Sequence, residues 1–283
     1  SKKIFRYTNR VSLVHDKYPL RVNLTIVKES QKQGKFLKPE YTFQTADIIN
    51  KEEKYEIEME LLNEKIGIGT EFNDVSILEK IIKKNIKFIL SGLQETNYPI
   101  SYPEMNKIEK EYASLFMKKE KVENIRSLYS KNFIGPSSYT LQLINILELN
   151  DDSEVPNIRK NFTVTDKADG QRKLLYISSN GKVYLIDTNM NIQFTGALVN
   201  NVDYHNSLLD GEHILHNKLG QYINLYAAFD VYFINKKNTR NLLFIPEIDL
   251  DNSPEKQKKK IEYRLYLLIN LIKEINAISI IKN

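Results

Sequence analysis

Lys167, Asp169 and Arg172 fall within the run Val164-Thr165-Asp166-Lys167-Ala168-Asp169-Gly170-Gln171-Arg172-Lys173. Residues of these types, this close together, can do phosphate chemistry. A lysine amine becomes a nucleophile when its preference for charge is reduced, and a guanidinium grips phosphate oxygens with a planar fork. A nearby carboxylate can orient the amine or help to place a cation. The flanking runs, Phe162 to Thr165 and Leu174 to Ile177, are apolar, β-branched or aromatic. The pattern therefore predicts strand, tight turn at Asp169-Gly170, strand, with Lys167 at the end of a buried strand. The same residues also make an ordinary Asp-Gly hairpin with surface lysines.

Three further places carry candidate chemistry. In Tyr55-Glu56-Ile57-Glu58-Met59-Glu60-Leu61, strict alternation puts Glu56, Glu58 and Glu60 on one face at steps of roughly 6–7 Å, and Tyr55, Ile57, Met59 and Leu61 into a core. Oxygen-only ligands suit Mg²⁺ or Mn²⁺; the row also reads as an edge strand whose glutamates discourage edge pairing. Asp210-Gly211-Glu212 reads as another Asp-Gly turn. Tyr226 to Phe233 is a nearly all-apolar strand with one aspartate, Asp230, which burial obliges to find a partner.

The elements that would hold these residues can be read from periodicity. Residues 4–28 read as short strands, and in Leu20 to Val27 the polar Arg21, Asn23 and Thr25 share one face. Residues 74–90 have helical period, with apolar positions 77, 78, 81, 82, 86 and 89 opposite lysines and Gly92 as terminator. Glu104 to Ser130 reads as one or two further helices, broken by Gly135-Pro136. Lys182 to Asp187 is a strand, Asn191 to Gly196 ends in a glycine turn, and Arg240 to Pro246 is a loop. The charge cluster Glu255 to Lys260 reads as a solvated helix start, leading into an amphipathic helix over Ile261 to Ile275.

Composition sets outer bounds. The 283 residues suffice for one large domain or two modest ones, and 41% hydrophobic with 27% charged residues is globular. The 41 Lys and Arg offer basic faces to a phosphate-rich partner, although the net charge is only +5. The absence of Cys excludes disulfides, zinc–thiolate sites and a cysteine nucleophile, and the four His argue against a His-rich metal site. No apolar run reaches ~18 residues, so no transmembrane helix is expected. The N-terminus lacks the apolar core of a signal peptide, so an intracellular, soluble protein is expected.

The pattern Lys167-x-Asp169-Gly170-x-Arg172 resembles the nucleophile motif of covalent nucleotidyltransferases, the mRNA-capping guanylyltransferases and polynucleotide ligases. The resemblance implies that Lys167 attacks a nucleotide α-phosphate and forms a lysyl-nucleotide, with Arg172 holding phosphate and Asp169 orienting the lysine or the ribose. It places Glu212 at the ribose or a metal, Phe229 against the purine and Asp230 near the metal. Asn9-Arg10-Val11-Ser12, Arg21 to Lys28 and Tyr55 to Glu60 together resemble tunnel-type RNA 5′-triphosphatases, in particular those fused to capping enzymes in large cytoplasmic DNA viruses. That likeness implies a metal on Glu56, Glu58 and Glu60, and phosphates on Arg10 and Arg21. Phe133-Ile134-Gly135-Pro136 is similar to the segment that opens the guanylyltransferase domain of such enzymes, and weighs against a ligase.

The implied fold class is α+β. Residues 1–72 would form the C-terminal half of an antiparallel β tunnel, 73–131 a helical connector, and 132–283 the N-terminal part of an antiparallel-sheet nucleotidyltransferase domain. Both catalytic units are expected to be partial, since an earlier glutamate strand and a later Lys-x-Lys strand are not found. The implied function is mRNA 5′-cap synthesis: removal of the RNA γ-phosphate, then GMP transfer from GTP through Lys167, with Mg²⁺ or Mn²⁺. The implied partners are GTP and the 5′ end of nascent RNA, with a methyltransferase domain or other transcription proteins, and no membrane. The implied setting is cytoplasmic, a viral factory or virion. An ATP-dependent RNA or DNA ligase and a catalytically incomplete RNA-binding fragment remain as alternatives, because the residues do not distinguish GTP from ATP.

Overall fold

A computed structural model describes residues 1–148, 155–159, 162–245 and 263–280. The Glu255 to Lys260 cluster lies outside the described residues. The chain divides into two compact units, Ser1–Phe88 and Ile89–Asn283. The division falls inside the stretch read as a connector.

In the first unit, β1 (Arg6–Val14) and β2 (Leu20–Glu29) form a hairpin, and β5 (Lys54–Leu61) pairs with the other edge of β2, giving the antiparallel order β1-β2-β5. Between them lie the short pair β3 (Lys32–Gln33) and β4 (Phe36–Leu37) and the single turn α1 (Phe43–Ala46). The register sets Arg10 beside Thr25 and Glu56, and Ser12 beside Asn23 and Glu58. The alternation thus assigns faces as expected. The burial does not follow it: Asn23 and Thr25 are 2% exposed, whereas Val11 and Tyr55 are 56% and 73% exposed. The expectation that Tyr55, Ile57, Met59 and Leu61 enter a core is corrected; their face is open. The polar face closes on itself instead. Arg10 Nε donates to Thr25 Oγ1 at 3.0 Å and Ser12 Oγ donates to Asn23 Oδ1 at 2.7 Å, so long charged side chains cover short hydrogen-bonded ones.

Helix α2 (Val75–Leu93) crosses the division between the units, and Gly92 lies inside it rather than ending it. None of its apolar stripe is fully buried.

The second unit is built on an antiparallel sheet of order β11-β10-β9-β6-β7-β8-β12. Its strands are β6 (Gln171–Ile177), β7 (Lys182–Asp187), β8 (Ile192–Val199), β9 (Ser207–His216), β10 (Tyr222–Ile234), β11 (Lys237–Asn238) and β12 (Ala277–Ser279). Leu174, Tyr176, Tyr184, Ile186, Leu208 and Phe233 pack on one face against Ile108, Tyr112 and Ala113 of α3 (Tyr102–Ser114), with α4 (Lys119–Glu123) following. Leu209 and Val231 meet Leu268 and Leu271 of α5 (Arg264–Glu274), the second helix layer. Helix α3 is also pinned by charge: Glu104 accepts from Lys182 Nζ at 2.6 Å and Tyr184 Oη at 2.8 Å, and Glu111 accepts from Ser179 Oγ at 2.6 Å.

Three expectations are corrected here. Phe162 to Thr165 is not a strand. Both edges of β6 are taken, by β7 and β9, so the run before it finds no ladder to join, and Val164 stands fully exposed; strand propensity needs a partner to be realised. Asp210-Gly211 lies inside β9 rather than at a turn, and Gly196 lies inside β8 rather than ending it. Among the described residues, no helix is long and apolar enough to cross a membrane.

Candidate active site

A cleft of about 600 Å³ opens in the second unit, lined by Thr165 to Gly170, by Glu212, and by Ala227, Ala228 and Phe229. It gathers side chains from three places: the irregular run before β6, the middle of β9, and the middle of β10. Gly170 permits the run to lie against β9, because a Cβ there would come within 2.6 Å of the His213 carbonyl oxygen and 3.0 Å of Glu212 Cγ. The chain therefore arrives at β6 with Lys167 and Asp169 beside Glu212.

Lys167 is ion-paired with Asp169, and both side chains are exposed. The hydrogen bond and charge of Asp169 hold the Lys167 amine above its usual range, with Glu212 adding to the effect. The reciprocal pairing holds the Asp169 carboxyl below its usual range. The expectation of a lysine relieved of its charge is thus corrected for this state. That description fits Lys173 instead, which is buried, donates to Gln193 Oε1 at 2.8 Å and is pushed down by burial. Lys173 does not line the cleft.

Phe229 owes its position to a β-bulge. The β9–β10 register runs from Ala228 opposite Gly211 to Asp230 opposite Asp210, leaving Phe229 as the extra residue. Bulges re-aim side chains, and this one leaves the Phe229 ring in the cleft wall, 41% exposed.

Arg172 and Asp230 are not among the cleft-lining residues. Arg172 is held by Asp210, which is fully buried: Nε donates to Oδ1 at 3.1 Å and Nη2 to Oδ2 at 2.5 Å. Its Nη1 donates to the Pro136 carbonyl oxygen and its guanidinium lies 5.5 Å from the Phe133 ring centroid. The Tyr232 hydroxyl also donates to Asp210 Oδ2. Arg172 thereby clamps the Phe133–Pro136 segment to the sheet, and the Asp210 contacts raise its pKa further. Asp230 has the partner that burial demands: Arg264 donates from Nε at 2.8 Å and from Nη2 at 3.2 Å. The sequence alone assigns no individual role to Asp210, Tyr232 or Arg264. Asp210 was findable, since Leu208-Leu209-Asp210 is as apolar a setting as that of Asp230.

In the first unit each glutamate expected to bind a metal is paired with an arginine, two of them with the expected phosphate ligands Arg10 and Arg21 and the third with Arg6. Arg6 meets Glu56, Arg10 meets Glu58 at 2.9 Å and Arg21 meets Glu60 at 3.9 Å. Among the described residues no group of three or more His, Cys, Asp or Glu is arranged to hold a metal. The glutamate row therefore does not fit a metal cage as it stands. The cleft offers Asp169 and Glu212, which fits an ion such as Mg²⁺ that takes one or two carboxylates and completes its shell with phosphate oxygens and water.

The family model described as mRNA capping enzyme, catalytic domain, matches residues 107–250, half of the chain. A probable mRNA-capping enzyme of Acanthamoeba polyphaga mimivirus is 30% identical over 230 residues, which are 81% of this chain and 16% of that relative. The matched region contains the cleft, the Arg172 clamp and the strands that carry them, and this chain belongs to the mRNA capping enzyme family through that catalytic domain.

Proposed function

We propose that the second unit carries the guanylyl-transfer site of an mRNA capping enzyme, with Lys167 as nucleophile and GTP as donor. The carrying observation is that the Lys167 amine, the Asp169 and Glu212 carboxylates and the Phe229 ring share one cleft. The neutral Lys167 Nζ attacks the α-phosphorus of GTP; an N–P bond forms while the bond from the α-phosphorus to the bridging oxygen breaks, and pyrophosphate leaves. The nitrogen gives up a proton. The 5′-diphosphate oxygen of RNA then displaces Lys167, forming an O–P bond as the N–P bond breaks, and the nitrogen takes a proton back from water to restore the amine. Mg²⁺ or Mn²⁺, held by phosphate oxygens with Asp169 and Glu212, would neutralise charge on the leaving pyrophosphate. Phe229 offers its face to the base. Asp169 must release the amine before attack, since a protonated amine has no lone pair to donate.

The test is covalent labelling. The chain is incubated with α-labelled GTP or ATP and Mg²⁺ or Mn²⁺, denatured and resolved, beside Lys167→Ala. Label from GTP that disappears in Lys167→Ala is the expected result. Label from ATP alone replaces guanylyl transfer with ligase-type chemistry, and label surviving in Lys167→Ala removes Lys167 from its role.

The first unit supports a second reading, handling of the RNA 5′-triphosphate on the face that carries Arg6, Arg10, Arg21 and the three glutamates. A triphosphate would compete for the arginines and free the carboxylates for a cation. Release of γ-phosphate from triphosphate-ended RNA, lost in Glu58→Gln, is the corresponding assay.

A further inference from the structure

Arg264 lies outside residues 107–250, so the family match says nothing about it. It opens α5 and reaches β10 with its whole guanidinium. Two nitrogens take both oxygens of Asp230, at 2.8 and 3.2 Å, while Nη1 donates to the Leu242 carbonyl oxygen. The guanidinium also lies 5.5 Å from the Phe244 ring centroid. Both members of the pair are largely withdrawn from water, with side chains 20% and 17% exposed. A bidentate pair so placed has one geometry, which a single lysine ammonium would not reproduce.

Asp230 is the residue after Phe229, and the bulge that makes Phe229 the extra residue ends at Asp230. A bulge leaves one residue unpaired and bends the strand, so the fixing of the residue beside it bears on where the unpaired side chain points. The Asp230 carboxylate is fixed twice, by Arg264 and by the Val231 N–H, which donates to Oδ1 at 2.8 Å. We infer that Arg264 is a positioning residue for the nucleotide cleft: by anchoring Asp230 it holds the bulge, and with it the angle at which Phe229 enters the cleft wall. Its use in catalysis rests on the guanylyl-transfer reading above. The link from Arg264 to Phe229 does not.

The chain has no tryptophan, so Phe229→Trp places a single indole in the cleft wall. Emission and acrylamide quenching of that indole are compared with and without Arg264→Met, in the full chain and without nucleotide. The expected result is a red-shifted, more readily quenched indole in Arg264→Met and an intermediate one in Arg264→Lys, which also serves if the methionine variant folds poorly. In parallel, Arg264→Lys in the native Phe229 background should raise KM for GTP in adduct formation while leaving kcat nearly unchanged. Loss of one stacking contact corresponds to roughly tenfold, about 1.4 kcal/mol. In a Phe229→Ala background the same Arg264 change should add nothing to KM. An indole indifferent to both Arg264 variants overturns the proposal, as does a KM effect that persists undiminished in Phe229→Ala. A lowered melting temperature with both readouts unchanged assigns Arg264 to stability alone. Absence of label in the unmodified chain bears on guanylyl transfer, whereas the indole readout still decides the Arg264–Phe229 link.

Discussion

The ion pair between Lys167 and Asp169 makes the pH response of the site a test of the nucleophile. A lysine held above its usual range is neutral to a smaller extent at any given pH, so adduct formation should rise as pH rises. Asp169→Asn removes the main cause of that shift. Its pH–rate profile should lie at lower pH than that of the unmodified chain, whatever its plateau, and a profile that does not move would remove Asp169 from control of the amine. Asp210 concerns stability more than reaction. It is a fully buried carboxylate answered by Arg172 and Tyr232. Burial pushes the Tyr232 hydroxyl well above its usual range, so it stays a donor. Tyr232→Phe should cost ~1–3 kcal/mol in urea unfolding, by leaving a charged acceptor short of a donor. Asp210→Ala should cost more, because Arg172 is then left without its counter-charge.

At the scale of elements, the close crossings at two glycines separate assembly of the site from stability of the sheet. Gly211 sits mid-strand with the Tyr226 ring over it; a Cβ would come within 2.6 Å of the ring and 2.7 Å of the Ala227 carbonyl oxygen. Tyr226 is held there by donation to the Lys173 carbonyl oxygen at 2.9 Å. Gly211→Ala should therefore destabilise the unit by ~1–3 kcal/mol in denaturant unfolding, the range for overpacking a well-filled site. Gly170→Ala meets the His213 backbone at a similar distance, but the residues before it belong to no strand. They can move away. Its cost should appear as slow labelling with little change in unfolding midpoint, and a large stability loss with normal labelling would contradict this account.

At the scale of the whole molecule, the open apolar face of the β1-β2-β5 sheet is the least expected feature. Val11, Leu13, Leu24, Tyr55 and Ile57 all lie on it and all are exposed. Contiguous exposed apolar surface promotes association. Leu13→Lys should reduce self-association in sedimentation and lower binding of an apolar dye, while changing unfolding free energy by less than ~0.5 kcal/mol, because little is buried at that position.

The sequence by itself determined whatever depends on neighbours along the chain. Alternation alone put Glu56, Glu58 and Glu60 on one face of their strand and Arg21, Asn23 and Thr25 on one face of theirs, whereas the register that joins the two sets came from the structure, and helical period alone placed α2 and α5. The order of Lys167-x-Asp169-Gly170-x-Arg172, Asp210-Gly211-Glu212 and Phe229-Asp230 carried the likeness to capping enzymes that the family match then bore out. What needed the tertiary structure was which face is covered and which charge meets which. Periodicity is a property of one strand, whereas burial belongs to the layer packed against it, so the polar face of the first sheet could be closed and its apolar face open. Charges pair through space at separations no local pattern encodes. Arg172 is thus spent on Asp210, and Asp230 on Arg264, 34 residues away. The run before β6 read as a strand because its residues favour one, and it is not a strand because β7 and β9 had already taken both edges.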